Sequence, residues 1–211
     1  TVLFALVAFS PFGEIQQVTA AMKYATVFGA NYYFYTANDY LNLAFHPLRH
    51  LWSLSAEEQF YLIFPFLLMG LVVVSRKLKR NLATIGILLI GVISFWYCLQ
   101  ASSNPENVNQ MRLAFFGTHL RAWEFLIGAL VFCLLDQFGP IRSRLYAEIV
   151  SIVGLVMLTY GVILISTTAG YPNAKTTIPV IGTALLIFGG STKNRVGHMF
   201  ASPLLVRIGD I

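Results

Sequence analysis

Apolar residues occupy most of this chain in runs of about 20, and short polar segments separate the runs. A helix of about 20 residues crosses the roughly 30 Å hydrocarbon core of a bilayer, so each run predicts a membrane-spanning helix. Residues 1–9 are predicted to end one span, and residues 10–13 to form a turn. Further spans are predicted at residues 15–35, 56–75, 82–101, 119–138 and 146–166, with a shorter one at 177–190 and another helix starting at Leu204. The predicted fold class is all-α, a polytopic transmembrane bundle of about six to seven spans.

The composition agrees with a membrane protein and excludes two other classes. Hydrophobic residues make up 57% of the chain, charged residues make up 11%, and the mean hydropathy is +0.70. Soluble domains carry about 25% charged residues, so neither a soluble domain nor a disordered chain is expected. The net charge is +5, but the basic residues lie scattered between apolar runs. Membrane lipid is therefore a predicted partner, and nucleic acid is not.

Lys and Arg residues predict which side of the membrane each loop faces. They gather near residues 76–80, 139–145 and 191–203, whereas residues 102–118 and 167–176 contain few. Because basic loops remain in the cytoplasm during insertion, these three loops are predicted to be cytoplasmic, and the segment preceding the span at 56–75 faces outward. The basic run at 76–80 is interpreted as a topology anchor, with attraction of an anionic cofactor as the alternative.

The first polar cluster lies at the predicted outward end of a span and reads HLWSLSAEEQFY at residues 50–61. Ser55 and Glu58 have the spacing of a helix capping box, and Glu57 lies in the expected first turn. Capping explains two adjacent carboxylates and Gln59 less well, because successive helix positions point about 100° apart. At least one carboxylate is therefore predicted to face protein instead of lipid.

The second polar cluster, THLRAWE at residues 118–124, begins another span at the same predicted outward side. Arg121, Glu124 and Gly128 share one helix face. Arg121 is predicted either to pair with Glu124 or to pair across the bundle with Glu57 or Glu58. In the second arrangement, Gly128 lets the two helices approach closely.

Aromatic and histidine residues in these clusters have two interpretations each. Trp52 and Trp123 fit an interfacial aromatic belt as well as a binding site. His50 and His119 are either solvated or available as general bases. Cys98 and Cys133 lie within apolar runs and are predicted to be free core residues. No zinc-ligand spacing, phosphate-binding loop or G-x-S-x-G elbow is present, and no metal is predicted.

These motifs resemble those of the acyltransferase family 3 membrane proteins, bacterial enzymes that O-acetylate lipopolysaccharide O-antigen and other surface glycans. HLWSLSAEEQFYL at residues 50–62 is similar to the hallmark of that family, and THLRAWE with Gly128 is similar to its second recurring segment. NYYFY at residues 31–35 resembles its aromatic run, with tyrosine where tryptophan is expected at positions 32 and 35. The segment at residues 202–209 resembles the entry to a later helix. The resemblance covers essentially the whole chain.

The resemblance implies a multi-pass enzyme of the bacterial inner membrane that moves an acyl group, usually acetyl, from cytoplasmic acetyl-CoA to a glycan hydroxyl outside. The catalytic pair of the family, an arginine and a histidine eleven positions later, is absent from this sequence. We therefore expect that residues 1–211 are part of an acyltransferase domain truncated at both ends, that the pair precedes Thr1, and that the chain alone is inactive. Some relatives also carry a soluble outer esterase-like domain.

Two sets of site residues follow from these patterns. One set is predicted to shape the acceptor and acyl-transfer cavity: Glu57, Glu58, Arg121 and Glu124. The other is predicted to contact the substrate: His50, Trp52, Ser53, Gln59, Tyr61, His119 and Trp123. The alternative function from another class is a transporter or flippase for glycan or lipid precursors, in which the same polar clusters line a transport path.

Overall fold

The computed structural model of the chain describes residues 12–36, 48–78, 82–104, 106–164 and 172–210. Within these ranges the regular elements are helices, and no strand is present. The α-helices are α1 (Phe12–Thr26), α2 (Ala30–Thr36), α3 (Leu51–Leu78), α4 (Leu82–Ser102), α5 (Val108–Phe116), α6 (Thr118–Phe138), α7 (Arg144–Leu164), α8 (Thr177–Gly190), α9 (Arg195–Phe200) and α10 (Pro203–Gly209). A 3₁₀ turn, Ala174–Thr176, precedes α8.

The structure confirms the predicted all-α membrane fold. Four helical segments of the described ranges are long and apolar enough to cross a bilayer: Leu51–Leu78, Leu82–Ser102, Val108–Phe138 and Arg144–Ile163. A shorter apolar segment, Ala174–Gly190, contains α8. The predicted spans at 82–101, 119–138, 146–166 and 177–190 therefore end within a few residues of α4, α6, α7 and α8. Cys98 and Cys133 are free cysteines inside these helices, as predicted.

The prediction of one span at residues 15–35 is wrong. The chain forms two shorter helices there, α1 and α2, because a turn at residues 27–29 reverses its direction. Phe28 adopts a positive φ of 55°, and the Gly29 amide donates to the Tyr24 carbonyl at 2.7 Å. Tyr33 then lies beside the preceding helix, with its hydroxyl donating to the Gln17 carbonyl at 3.1 Å. The result is a helical hairpin instead of a membrane-crossing helix.

Two predictions concern the beginning of the chain, a span end at residues 1–9 and a turn at residues 10–13. The predicted span end at residues 1–9 lies outside the described residues. Of the predicted turn at 10–13, Phe12 and Gly13 already belong to α1. The hairpin packs through a buried apolar cluster against α5 and the turn before α3: Val18, Ala21, Ala30, Phe34, Leu48 and Phe116.

Helices α7 and α8 make the most extensive contact between two helices of the described bundle, and glycine makes their approach possible. A Cβ atom built on Gly154 would lie 2.6 Å from the Gly182 carbonyl oxygen, and one on Gly182 would lie 2.9 Å from the Gly154 carbonyl oxygen. Small residues are the usual means by which transmembrane helices bring their backbones together. At the predicted cytoplasmic end, the buried Asn194 side chain donates to Ser151 and to the Gly189 carbonyl, which attaches α9 to this pair.

Candidate functional site

The candidate site lies at the predicted outward end of the bundle, where the chain breaks between α5 and α6. Gly117 separates these helices with an extended backbone (φ −73°, ψ 110°), and its amide donates to the Leu113 carbonyl at 2.8 Å. A Cβ atom at position 117 would lie 2.6 Å from that carbonyl oxygen. Glycine is therefore needed for this break in the helical backbone, after which Thr118 and His119 line the cavity with residues of α2 and α3.

A cavity of about 390 Å³ opens at this junction. This volume is near the lower end of the range of about 300–1,000 Å³ that is typical of ligand pockets. Its walls come from α2, α3, α5 and the first turn of α6. The lining residues are Asn31, Tyr32, Tyr35, Gln59, Leu113, Phe116, Gly117, Thr118 and His119.

A network of side-chain hydrogen bonds forms the floor of the cavity and joins three helices. Gln59 Nε2 donates to Asn31 Oδ1 at 2.8 Å and to the Phe28 carbonyl at 2.5 Å. Asn31 Nδ2 lies 3.1 Å from both the Phe116 carbonyl oxygen and Thr118 Oγ1. Thr118 Oγ1 in turn donates to Gln59 Oε1 at 2.6 Å. Buried amides bonded in this way fix the relative positions of α2, α3 and α6.

The floor has no unused amide proton. A side-chain amide carries two N–H groups, and both nitrogens in the network already have at least two acceptors among the described residues. Gln59 Oε1 accepts from Asn31 and from Thr118, so both of its lone pairs are occupied. The network is therefore a rigid support, and new hydrogen bonds to a ligand must come mainly from the rim.

His119 is a rim residue with a fixed backbone and an available imidazole. Its carbonyl oxygen accepts a 2.7 Å hydrogen bond from Ser94 Oγ of α4, and the same hydroxyl accepts from the Trp123 amide at 3.1 Å. The side chain is exposed and makes no hydrogen bond to another described residue. The imidazole is therefore open to a ligand at the cavity, and the general-base interpretation of His119 stays a prediction.

Arg121 and Glu124 form an ion pair on α6, which is the local one of the two arrangements considered from the sequence. Arg121 Nε and Nη2 donate to the two carboxylate oxygens at 3.1 and 2.7 Å, and the side chains are 17% and 16% exposed. The guanidinium also lies 5.1 Å from the ring centre of Trp52. No neighbouring helix of the described residues comes within 4 Å of a Cβ placed on Gly128, so the close helix approach of the alternative arrangement is not present at this residue.

The capping-box interpretation of Ser55 and Glu58, one of those left open by the sequence, does not hold in the structure. The helix α3 begins at Leu51, four residues before Ser55. The Ser55 hydroxyl instead accepts from the Ala30 amide at 3.3 Å, which binds the start of α2 to α3. Glu57 and Glu58 are half-buried, and neither makes a hydrogen bond or ion pair to another described residue. They do not line the cavity, and their assignment to the acyl-transfer site stays a prediction.

The structure places the other predicted contact residues away from the cavity. His50 and Ser53 are exposed around the start of α3, where the Ser53 hydroxyl donates to the His50 carbonyl at 3.1 Å. Tyr61 is exposed on α3. Trp123 is only 3% exposed and packs on Phe95 with ring centres 4.8 Å apart, so it does not belong to an interfacial aromatic belt.

Seven of the nine lining residues were not predicted as site residues, and four of these seven carry side-chain hydrogen-bonding groups: Asn31, Tyr32, Tyr35 and Thr118. The available signal was a polar Asn31 inside an apolar run, immediately before a segment rich in tyrosine. No group of three or more His, Cys, Asp or Glu side chains in the described ranges could hold a metal ion.

This chain is similar in sequence to acyltransferases. Residues 18–211 match the sequence model of the family described as "Acyltransferase domain". A Staphylococcus aureus protein named "Putative O-acetyltransferase" is 26% identical over 195 residues, which are 88% of this chain and 32% of the relative. The chain thus spans about one third of the length of such relatives.

Two further relatives differ in how much of them is matched. An uncharacterized protein of Haemophilus influenzae is 25% identical over 87% of this chain and 76% of its own length. A Bacillus subtilis protein named "Putative peptidoglycan O-acetyltransferase" is 31% identical over 46% of this chain and 14% of its own length. No solved structure matches the chain.

Proposed function

Because this chain belongs to the acyltransferase domain family, we propose that it is the membrane-embedded part of an O-acyltransferase that modifies a surface glycan. The observation that carries the proposal is the family match, which extends over residues 18–211 and so includes every described helix that contributes to the cavity. A cavity with a polar floor and an exposed imidazole at one end of an apolar bundle is consistent with this activity.

The proposed reaction transfers an acetyl group from acetyl-CoA on the cytoplasmic side to a sugar hydroxyl on the outer side of the bacterial inner membrane. The sugar oxygen forms a bond to the acyl carbon, the carbon–sulfur bond breaks, and the thiol leaves with the proton that the hydroxyl loses. Lipopolysaccharide O-antigen is the proposed acceptor, following the sequence resemblance. The printed name of the Bacillus subtilis relative makes peptidoglycan the second glycan to analyse.

Within this chain, we assign His119 to orientation of the acceptor hydroxyl. Its main chain is fixed by Ser94, and its ring is exposed at the cavity mouth. The Arg121–Glu124 pair lies in the next turn of the same helix and holds Trp52 against α6. Because these groups are attached to helices instead of loops, they keep the acceptor within reach of the acyl group.

The decisive experiment compares surface glycans from cells that have the intact gene, lack it, or carry it restored on a plasmid. Mass spectrometry of O-antigen and of peptidoglycan, before and after mild alkali, reports ester-linked acetyl groups. The proposal requires that acetylation is lost on deletion and returns on complementation. Unchanged acetylation of all surface glycans would contradict it, and accumulated unmodified precursor inside the cell would favour the transporter alternative.

A further inference from the structure

We propose that Tyr32 and Tyr35 form a carbohydrate-binding rim on the outward cavity, where a neutral sugar ring of the acceptor stacks on a tyrosine ring and reaches His119. This inference rests on the proposed function and adds the residues that hold the acceptor. It concerns side chains that neither the family match nor the names of the relatives assign.

The first argument is the saturation of the cavity floor. The amide protons of Asn31 and Gln59 are all used within the network, and the Thr118 hydroxyl donates to Gln59. A sugar that enters the cavity therefore gains few hydrogen bonds from the floor. Recognition must depend on the other polar groups of the lining, which are the phenol hydroxyls of Tyr32 and Tyr35 and the imidazole of His119.

The second argument is the arrangement of the two rings. The ring centres of Tyr32 and Tyr35 are 6.4 Å apart and their planes are tilted by 36°, so the two rings lie side by side on one face of α2. Tyr35 is fixed from the other side by Arg112, whose guanidinium lies 5.9 Å from its ring centre and donates to the Phe34 carbonyl at 3.1 Å. Tyr32 is 59% exposed, although it lines the cavity.

The third argument is the chemistry of the lining. The lining contains no Asp, Glu, Lys or Arg. Apart from His119, it consists of two amides, two tyrosines, a threonine, two apolar residues and a glycine. A phosphate or nucleotide group would lack a cationic partner there. A pyranose ring has an apolar C–H face and hydroxyl edges, which match an aromatic platform with polar groups around it. The cavity volume suits one or two such rings and is too small for a long glycan.

The test uses the full-length protein purified in detergent, with acetyl-CoA as donor and the de-O-acetylated oligosaccharide of the host surface glycan as acceptor. Tyr32→Ala removes the stacking ring, while Tyr32→Phe and Tyr32→Trp keep an aromatic face. Tyr160→Ala is the matched control, because Tyr160 is 48% exposed near the predicted outward end of α7 and does not line the cavity.

We expect Tyr32→Ala to raise the KM for the oligosaccharide about tenfold, a change that corresponds to about 1.4 kcal/mol. The KM for acetyl-CoA and the melting temperature should stay at the wild-type values. Phe and Trp at position 32 should keep the acceptor KM within about threefold, because they preserve the stacking surface. Tyr160→Ala should leave both KM values unchanged.

Three results would overturn the inference in distinguishable ways. An unchanged acceptor KM in Tyr32→Ala contradicts the sugar-binding rim but leaves the acyltransferase activity intact. A raised KM for acetyl-CoA alone shows that the cavity binds the donor. A wild-type protein that acetylates no glycan contradicts the proposed function, and the rim with it.

Discussion

Gln59 and Asn31 lie 28 residues apart and exchange hydrogen bonds through their side-chain amides, with Gln59 Nε2 2.8 Å from Asn31 Oδ1 and Asn31 Nδ2 3.4 Å from Gln59 Oε1. The reciprocal arrangement is possible because each amide presents a carbonyl acceptor and an N–H donor next to each other, and both can face the same partner. It connects the α1–α2 hairpin to α3, and Thr118 extends the connection to α6. Polar contacts between residues that are distant in the sequence therefore determine the shape of the cavity.

Replacing Gln59 with leucine should destabilise the protein by about 1–3 kcal/mol, because the buried Asn31 amide loses its main partner. Gln100→Leu on the exposed surface of α4 is the matched control and should change stability by less than about 0.5 kcal/mol. Unfolding in detergent, followed by circular dichroism, measures both. Equal stabilities of the two variants would show that the network contributes nothing to the fold.

His119→Ala should leave stability unchanged and lower glycan acetylation by about 10²-fold, since loss of a group that positions a reacting atom can cost that factor. The exposed imidazole makes no hydrogen bond to another described residue, so folding does not depend on it. His198→Ala, an exposed histidine on α9 at the predicted cytoplasmic end, is the control. Acetylation at the wild-type rate in His119→Ala would remove this residue from the site.

Arg121→Gln and Glu124→Gln should each destabilise the protein by about 1–3 kcal/mol, because each leaves a partly buried charge without its partner. The double variant should be more stable than the sum of the single effects predicts. Measuring glycan acetylation distinguishes a structural role of the pair from a functional one. A double variant that folds normally but acetylates no glycan would show that the pair takes part in the reaction. If either single variant inserts at normal levels and acetylates fully, the assignment of that residue is wrong.

Gly154→Ala should destabilise the α7–α8 pair by about 1–3 kcal/mol, because the new methyl group meets the Gly182 carbonyl oxygen and the backbones must separate. Gly128→Ala is the matched control within a membrane helix, where no atom lies within 4 Å of the added carbon. That variant should be neutral or slightly more stable. Thermal unfolding in the same detergent compares them, and a Gly154→Ala variant as stable as Gly128→Ala would contradict the close packing.

The predicted sidedness can be tested with single added cysteines and a membrane-impermeant maleimide. Ser103→Cys, on an exposed site after α4, should react in intact spheroplasts. Ser143→Cys, on an exposed site before α7, should react only after permeabilisation. The unmodified protein is the background control, because Cys98 is buried and Cys133 lies half-buried within α6. The opposite labelling pattern would reverse the orientation.

Hydropathy predicted the long helices well because their length is set by the bilayer, a constraint that every apolar run must satisfy. It failed at residues 15–35, where composition alone could not reveal that the chain turns at Phe28. The turn is stabilised by the Gln59 side chain, which donates to the Phe28 carbonyl from a distant helix. A pattern confined to neighbouring residues carries no information on such a partner.

The same distinction applies to the candidate site. Gln59 and His119 were predicted because a polar group beside an apolar run is conspicuous in a sequence. Asn31 and Tyr32 were missed because they line a cavity only together with residues that are distant in the sequence. Phe116, whose carbonyl accepts from Asn31, follows it by 85 residues. The position of Trp123 at the start of a span suggested an interfacial belt, but the side chain faces α4 and is buried by Phe95.

The shortness of α8 has a consequence for the surrounding lipid. Its 14 residues extend only about 21 Å at 1.5 Å per residue, well below the roughly 30 Å hydrocarbon thickness. The helix is preceded by a polar cap in which the Asn173 and Thr176 side chains satisfy backbone amides. A span of this length produces a hydrophobic mismatch, and we expect the bilayer beside α8 either to thin or to be met by polar side chains that extend from this cap toward the interface.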